Sequence, residues 1–223
     1  MTPGAMARLL DHSVLKPEAA ESEVLAGAAL VGIRAIGYYC VQPCWVSVAV
    51  RALAGSEARV VAVAGFPHGC EQSAVKAQTA ALALTDGASE IDMVMNLGLL
   101  KSGAAVAVAK DIAQVVRAVP GIPVKVIIEA RALTEDEKRL ACRLAVDSGA
   151  AFVKTSTGFH PAGGATVEDV RLMRAAVGPD VGVKAAGGIR TLADALAMLQ
   201  AGANRIGVSA SAAILEELGR RTA

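Results

Sequence analysis

The sequence has 223 residues, and its 54% hydrophobic content is sufficient for a sizeable core. Its 22 Lys and Arg residues balance 21 Asp and Glu residues, so a net charge of +1 argues against nucleic acid or an anionic membrane as the main partner. No apolar run is typical of a transmembrane helix or a signal peptide, so we expect a cytoplasmic protein without a membrane partner.

The predicted elements alternate between short apolar runs and longer segments of helical character. A strand around Leu10–His12 precedes a helix near Ser22–Val31. Seven further strands are predicted at Gly37–Val41, Val60–Gly65, Glu90–Met95, Val124–Glu129, Ala151–Thr155, Val181–Ala186 and Arg205–Val208. Helices fill the gaps. Thr134-x-x-Glu137 is a capping box, and the segments that begin at Thr166 and Thr191 resemble one.

The connection from helix to strand repeats three times, as TDGASEID at 85–92, DSGAAFVK at 147–154 and QAGANRIG at 200–207. Glycine suits the left-handed conformation that ends a helix, and an apolar strand follows each time. Eight such units predict a (β/α)8 TIM barrel, one domain over residues 1–223 with a short N-terminal extension. The alternative is an open doubly wound sheet, for which the sequence offers no GxGxxG or P-loop motif.

Three charged residues fall at the carboxyl ends of predicted strands, where TIM barrels carry their catalytic groups: Asp92, Lys154 and Lys184. An isolated lysine in a strand is usually an edge residue or one half of an ion pair. Two lysines and an aspartate at comparable strand ends favour a site instead. Lys125 begins its strand, so we interpret it as structural or indirect in effect, with Glu129 at the other end.

A pair of lysines has a specific chemical use. A free lysine has a pKa of about 10.4, so its neutral, nucleophilic amine is rare at pH 7. A second ammonium close by, together with partial desolvation, disfavours the charged form. Two lysines in a dry cavity therefore indicate a Schiff base with a carbonyl substrate.

Two glycine-containing loops indicate a phosphate site. AGGIRT at 186–191 and GVSAS at 207–211 each join one of the last two strands to a helix. In TIM barrels these loops commonly bind phosphate through backbone N–H groups at a helix N-terminus. The four cysteines form no CxxC pair and the three histidines have no metal-ligand spacing, so no metal is expected.

Several motifs together resemble the deoxyribose-phosphate aldolases, which are class I aldolases with a TIM barrel. The resemblance covers nearly the whole chain. It is carried by LDHSVLKP at 10–17, CVQP at 40–43, GFPHG at 65–69, EIDMV at 90–94, FVKTSTG at 152–158 and VKAAGGIR at 183–190. Two departures stand out: Ala210 replaces the second serine of the usual Ser-Ser pair, and the chain lacks the C-terminal tyrosine of some members.

The resemblance implies reversible cleavage of 2-deoxy-D-ribose 5-phosphate to acetaldehyde and D-glyceraldehyde 3-phosphate. Lys154 would form the Schiff base, Lys184 would favour its neutral amine and transfer protons, and Asp92 would act as general acid and base through a water. Cys40 would line the pocket. The other implied substrate-binding residues are Ser13, Thr157, Gly158, Gly187, Gly188 and Ser209.

No cofactor is expected, because the iminium is itself the electron sink. The assembly that we consider for this protein is a homodimer. Another Schiff-base aldolase, such as a transaldolase or a keto-acid aldolase, and a catalytically silent sugar-phosphate-binding barrel remain as alternatives.

Overall fold

The computed structural model describes residues 1–222, in which eight parallel strands close into a barrel in sequence order. The strands are β1 (Leu10–Val14), β2 (Tyr38–Val41), β3 (Arg59–Ala64), β4 (Glu90–Val94), β5 (Val124–Ile127), β6 (Phe152–Lys154), β7 (Gly182–Ala186) and β8 (Arg205–Val208). Pairing of Leu10 with Ile206 and of His12 with Val208 joins β1 to β8 and completes the closure. The fold is therefore the predicted TIM barrel, not an open sheet.

Helices follow the strands around the outside of the barrel. They are α1 (Pro3–Ala7), α2 (Glu21–Ile33), α3 (Val46–Ala52), α4 (Ser73–Thr85), α5 (Leu97–Lys101), α6 (Ala105–Ala118), α7 (Glu135–Asp147), α8 (Val167–Val177), α9 (Leu192–Gln200) and α10 (Ser211–Thr222). The N-terminal extension forms α1, which packs against α10. Within the described residues, no helix is long and apolar enough to cross a membrane.

The repeated Gly-Ala connection ends three helices in the same way. Gly87, Gly149 and Gly202 have φ values of 102°, 89° and 111°, the left-handed conformation predicted for them. The backbone N–H of the residue after each glycine then donates a hydrogen bond to the carbonyl oxygen five residues earlier. The N···O distance is 2.9 Å from Ala88 to Ala83 and 3.0 Å from Ala150 to Ala145. This is the Schellman arrangement, which satisfies the last helical carbonyls and turns the chain into the next strand.

The strand predicted at Val124–Glu129 extends too far. The prediction extends to Glu129, but β5 ends at Ile127 and a short 3₁₀ helix occupies Ala130–Ala132. Glu129 has φ 49° and ψ 57°, a left-handed conformation that cannot continue a strand. The chain therefore turns over the carboxyl end of the barrel at this residue.

The two sides of the barrel wall differ in character. Apolar side chains fill the layer between strands and helices, where they form the main core. Inside the barrel, a smaller apolar cluster consists of Leu15, Cys40, Val61 and Val63. The remainder of the interior carries buried charges that meet between β4, β6 and β7. Lys154 is the last residue of β6, as predicted, but Asp92 and Lys184 lie in the middle of β4 and β7 and not at their carboxyl ends, because both strands continue for two residues beyond them.

Candidate active site

Two lysine amines share one carboxylate oxygen inside the barrel. Asp92 Oδ2 lies 2.8 Å from Lys154 Nζ and 2.8 Å from Lys184 Nζ. The three side chains are almost completely buried. Lys154 and Lys184 are paired in register across β6 and β7, so the barrel places both amines on the same side of Asp92. These contacts confirm that the three side chains converge from different strands, as the sequence predicts.

The repeated connection from helix to strand explains how the Lys184 side chain fits inside the barrel. Asp92 and Lys154 lie five residues after Gly87 and Gly149, and Gly207 lies five residues after Gly202 in the third repeat. A Cβ atom at Gly207 would lie 2.9 Å from Cε of Lys184. A side chain there would displace the lysine, so the missing side chain at Gly207 leaves room for the long Lys184 stem.

Lys184 is held as a cation by two carboxylates. Its amine donates hydrogen bonds to Asp11 Oδ2 and Asp92 Oδ2. Burial alone would lower the pKa of Lys184, but the negative charges of Asp11 and Asp92 outweigh that effect and raise the pKa. Lys184 therefore provides a positive charge beside Lys154 in the resting site at neutral pH.

Asp92 is also held from its other oxygen. Lys125 Nζ lies 2.6 Å from Asp92 Oδ1 and 2.6 Å from Glu90 Oε2. Burial alone would raise the pKa of Asp92, but Lys125, Lys154 and Lys184 hold it well below its usual range. Asp92 is therefore an anion in the resting site. Lys125 does not line the cavity, so any influence it has on the lysine pair passes through Asp92.

A cavity of about 750 Å³ opens above these charges. Each predicted site residue except Asp92 lines it. Asp92 lies beneath the two lysines and contacts the cavity only through them. The cavity is large enough for a small ligand. Arg190, Lys16 and Asp11 also line it, although the sequence analysis did not single them out as site residues.

The loop after β6 and the loop after β7 are hydrogen-bonded to each other at one end of the cavity. Ala186 O accepts hydrogen bonds from the hydroxyl of Thr155 at 3.0 Å and from that of Ser156 at 2.5 Å. Gly187 has φ 90°, and a Cβ there would lie 2.7 Å from Ser156 Oγ. Gly188 has φ 77° with open space around it. Glycine is thus required at both positions, and at Gly187 for close packing as well.

Glu129 anchors the Thr157 side of these loops. One of its carboxylate oxygens accepts a hydrogen bond from the backbone N–H of Thr157. Burial raises the pKa of Glu129, although the hydrogen bond from Thr157 acts in the opposite direction. Its left-handed backbone, described above, aims this carboxylate across the barrel end.

Comparison with known proteins shows the family of this chain. Residues 6–217 match the model of a family described as DeoC/LacD family aldolase. This chain belongs to the DeoC/LacD aldolase family.

Individual members of the DeoC/LacD family resemble this chain over almost its full length. Deoxyribose-phosphate aldolase of Mycolicibacterium paratuberculosis is 53% identical, covering 98% of this chain and 100% of that protein. Deoxyribose-phosphate aldolase 1 of Bacillus licheniformis is 50% identical, covering 96% of each chain. A solved structure, described as the unique tetrameric structure of deoxyribose phosphate aldolase from Aeropyrum pernix, matches with a TM-score of 0.90 and 29% identity, covering 98% of this chain and 92% of that one.

One wall of the cavity in this DeoC/LacD aldolase is formed by Leu15 and Cys40 and has an apolar cluster behind it. Cys40 is 1% exposed and packs with Leu15, Val61 and Val63, and Phe66 lies against the same cluster. Burial raises the pKa of the Cys40 thiol to about 12, so the thiol is neutral. This wall is suited to an alkyl group, not to a charged one.

The sequence analysis of this family member missed several charged residues that shape the site. Asp11 binds Lys184, and Glu90 and Arg205 continue the ion pairs below Lys125. Each is a charged residue within a strand, and charge within a strand is part of the signal that revealed Lys154. Glu90 and Arg205 are the first residues of their strands, so the search for charges at carboxyl ends passed over them. The signal was present, but the partners lie up to 173 residues away in the chain and required the closed barrel.

Proposed function

We propose that this chain is a class I aldolase that reversibly cleaves 2-deoxy-D-ribose 5-phosphate to acetaldehyde and D-glyceraldehyde 3-phosphate. The observation that carries the proposal is the shared contact of Lys154 and Lys184 with Asp92 Oδ2 at the base of the cavity. The names of the two relatives described above support the choice of substrate.

In the proposed mechanism Lys154 is the nucleophile. Its amine faces the cavity and contacts a single carboxylate, whereas Lys184 is bound by two. The neutral Lys154 amine attacks C1 of the open-chain sugar, and the resulting carbinolamine loses water to give an iminium. Lys184 and Asp92 transfer the protons, with a water as carrier.

Cleavage then uses the iminium as the electron sink. A base removes the proton of the C3 hydroxyl, the C2–C3 bond breaks, and its electron pair forms an enamine on C2. The C3 fragment leaves as D-glyceraldehyde 3-phosphate. Protonation of the enamine at C2 and hydrolysis of the imine release acetaldehyde and regenerate the Lys154 amine.

We propose that the phosphate binds at the loops that carry Gly158, Gly187, Gly188 and Ser209, with Thr157 beside them and Ser13 on β1, the strand next to β8. Backbone N–H groups provide most of the binding, because α10 begins at Ser211, directly after the loop that carries Ser209, and its N-terminus favours an anion. The alanine at position 210 retains its backbone N–H, so this departure removes a hydroxyl but no main-chain donor.

Borohydride trapping tests the proposed nucleophile. The protein is incubated with acetaldehyde and borohydride, digested and analysed by peptide mass mapping. We expect the reduced two-carbon adduct on the peptide that contains Lys154, and none in a Lys154→Met variant. An adduct found chiefly on Lys184 would reverse the two lysine roles, and the absence of any adduct would favour a silent binding barrel.

The assembly and the location of the protein are also proposals. The related structure from Aeropyrum pernix is described as tetrameric, and we propose a homo-oligomer for this chain, with the dimer as the expected state. Light scattering after gel filtration would measure it, and a monomer mass at micromolar concentration would reject it. A cytoplasmic location fits the proposed sugar-phosphate substrate and is tested by cell fractionation.

A further inference from the structure

Buried ion pairs continue from Asp92 to the amino-terminal end of β8. Lys125 links Asp92 to Glu90, and Glu90 Oε2 lies 3.1 Å from Arg205 Nη1. No side chain in this series is more than 8% exposed. We call the series Arg205, Glu90, Lys125 and Asp92 the buried ion chain. The proposed mechanism uses only Asp92, so the other members have no role yet.

Arg205 is a permanent charge at the far end of the buried ion chain. Its guanidinium lies 3.2 Å from the centroid of the Tyr38 ring and 5.3 Å from that of Phe152. Glu90 is its carboxylate partner. Guanidinium groups do not lose their proton in proteins, so this positive charge cannot be neutralised by deprotonation.

The charges that are bonded to one another inside the barrel do not cancel when all are ionised. In the described part of the chain, the bonded network has three carboxylates and four cations, namely Asp11, Glu90 and Asp92 against Lys125, Lys154, Lys184 and Arg205. One positive charge is therefore in excess. A buried site disfavours uncompensated charge, so loss of one proton balances the network.

The contacts show which cation can release that proton most easily. Lys125 and Lys184 each contact two carboxylates, whereas Lys154 contacts only Asp92. Arg205 cannot release one. Lys154 is thus the least compensated titratable cation in the network.

Cys40 and Glu129 are also near Lys154 but lie outside the bonded network. The Cys40 thiol on β2 is neutral, because burial raises its pKa. Glu129, beyond β5, is also near Lys154, and burial raises the pKa of its carboxyl group. Glu129 accepts the Thr157 N–H and has no ion pair with the network. Asp11 on β1 acts on Lys154 through Lys184.

We propose that Arg205 and Glu90 are positioning residues that set, through Lys125 and Asp92, the pH at which Lys154 becomes nucleophilic. Arg205 provides the excess charge that favours proton release from Lys154, and Glu90 limits that excess. This inference rests on the proposed role of Lys154. It adds residues that touch neither the cavity nor the substrate.

Two variants that remove charges of opposite sign test the proposal. The rate of adduct formation on the Lys154 peptide is measured against pH with acetaldehyde and cyanoborohydride. Arg205→Met removes the excess charge and should raise the pH midpoint by about one unit, as expected for a unit charge roughly 10 Å away at an effective dielectric constant of about 20. Glu90→Gln should lower the midpoint, and the double variant should return it towards the original value.

Arg205→Lys is the matched control, because it changes the shape but retains the charge. Its midpoint should stay close to that of the unmodified protein. Equal midpoints in all folded variants, or shifts of the same sign in both single variants, would overturn the proposal. An unmodified protein that forms no Lys154 adduct would reject the proposed function itself, which is a distinct result.

Circular dichroism and thermal unfolding establish that each variant is folded. If Arg205→Met does not fold, the pH midpoint of Glu90→Gln, whose amide has nearly the shape of the carboxylate it replaces, is compared with that of Arg205→Lys. A lower midpoint in Glu90→Gln then supports the proposal, and an unchanged or higher midpoint overturns it.

Discussion

Replacement of Asp92 by asparagine should affect both turnover and stability. The side chain is fully buried and its two oxygens contact three lysine amines, at 2.6, 2.8 and 2.8 Å. An amide retains the shape but removes the negative charge and the base. We expect turnover to fall about 10²–10⁴-fold, the usual contribution of one general acid–base group.

The stability effect follows from the same contacts. Leaving buried charges without their partner costs about 3–5 kcal/mol. For a chain of this size that corresponds to a melting temperature lower by about 6–20 °C. Since the folded-state pKa of Asp92 is depressed, its stabilising effect is fully present above the pKa of an unfolded aspartate, about 3.9, and is lost as the pH falls through the folded-state value. The two proteins should thus differ most near neutral pH and converge in acid.

The assay combines two measurements with an internal control. Release of D-glyceraldehyde 3-phosphate is followed by a coupled dehydrogenase, and unfolding by circular dichroism at neutral and acidic pH. Asp111→Asn is the matched control, because Asp111 is buried and lies 2.7 Å from Lys76 outside the cavity. It should lose stability but keep its turnover. Near-normal turnover in a folded Asp92→Asn protein, or equal losses of turnover in both variants, would refute the catalytic role.

Three further predictions concern the lysine pair, the phosphate loops and one helix cap. Lys184→Leu removes a buried positive charge, so the pH at which Lys154 forms an adduct should rise and turnover should fall by orders of magnitude; an unchanged pH profile would contradict the electrostatic role. The phosphorylated sugar should have a much higher kcat/KM than free 2-deoxyribose, and Gly188→Leu should reduce that preference more than Ser209→Ala, whereas the reverse order would assign recognition to the serine hydroxyl. Thr134→Ala removes the exposed cap of α7, which should lower stability by about 0.5–2 kcal/mol in denaturant unfolding and leave turnover unchanged; no stability change would contradict the capping.

Local features of the sequence were enough to predict the alternation of strands and helices. The helix-ending glycines and the cap at Thr134 are short-range signals, and the structure shows both. The first and last residues of the strands were predicted less accurately than their order. For example, β6 covers Phe152–Lys154, whereas the prediction was Ala151–Thr155. The end of β5 was missed because the left-handed backbone at Glu129 carries no glycine to indicate it.

The sequence alone determined which residues could form the site, because a charge within a buried strand is costly and requires a partner or a function. Asp92, Lys154 and Lys184 were identified in this way. Only the closed barrel decided how those charges pair. Closure of β1 on β8 brings Asp11 to Lys184, and the register of β4 with β5 places Lys125 beside Asp92. Such contacts join residues far apart in the chain, and short-range patterns contain no information about which carboxylate a lysine will meet.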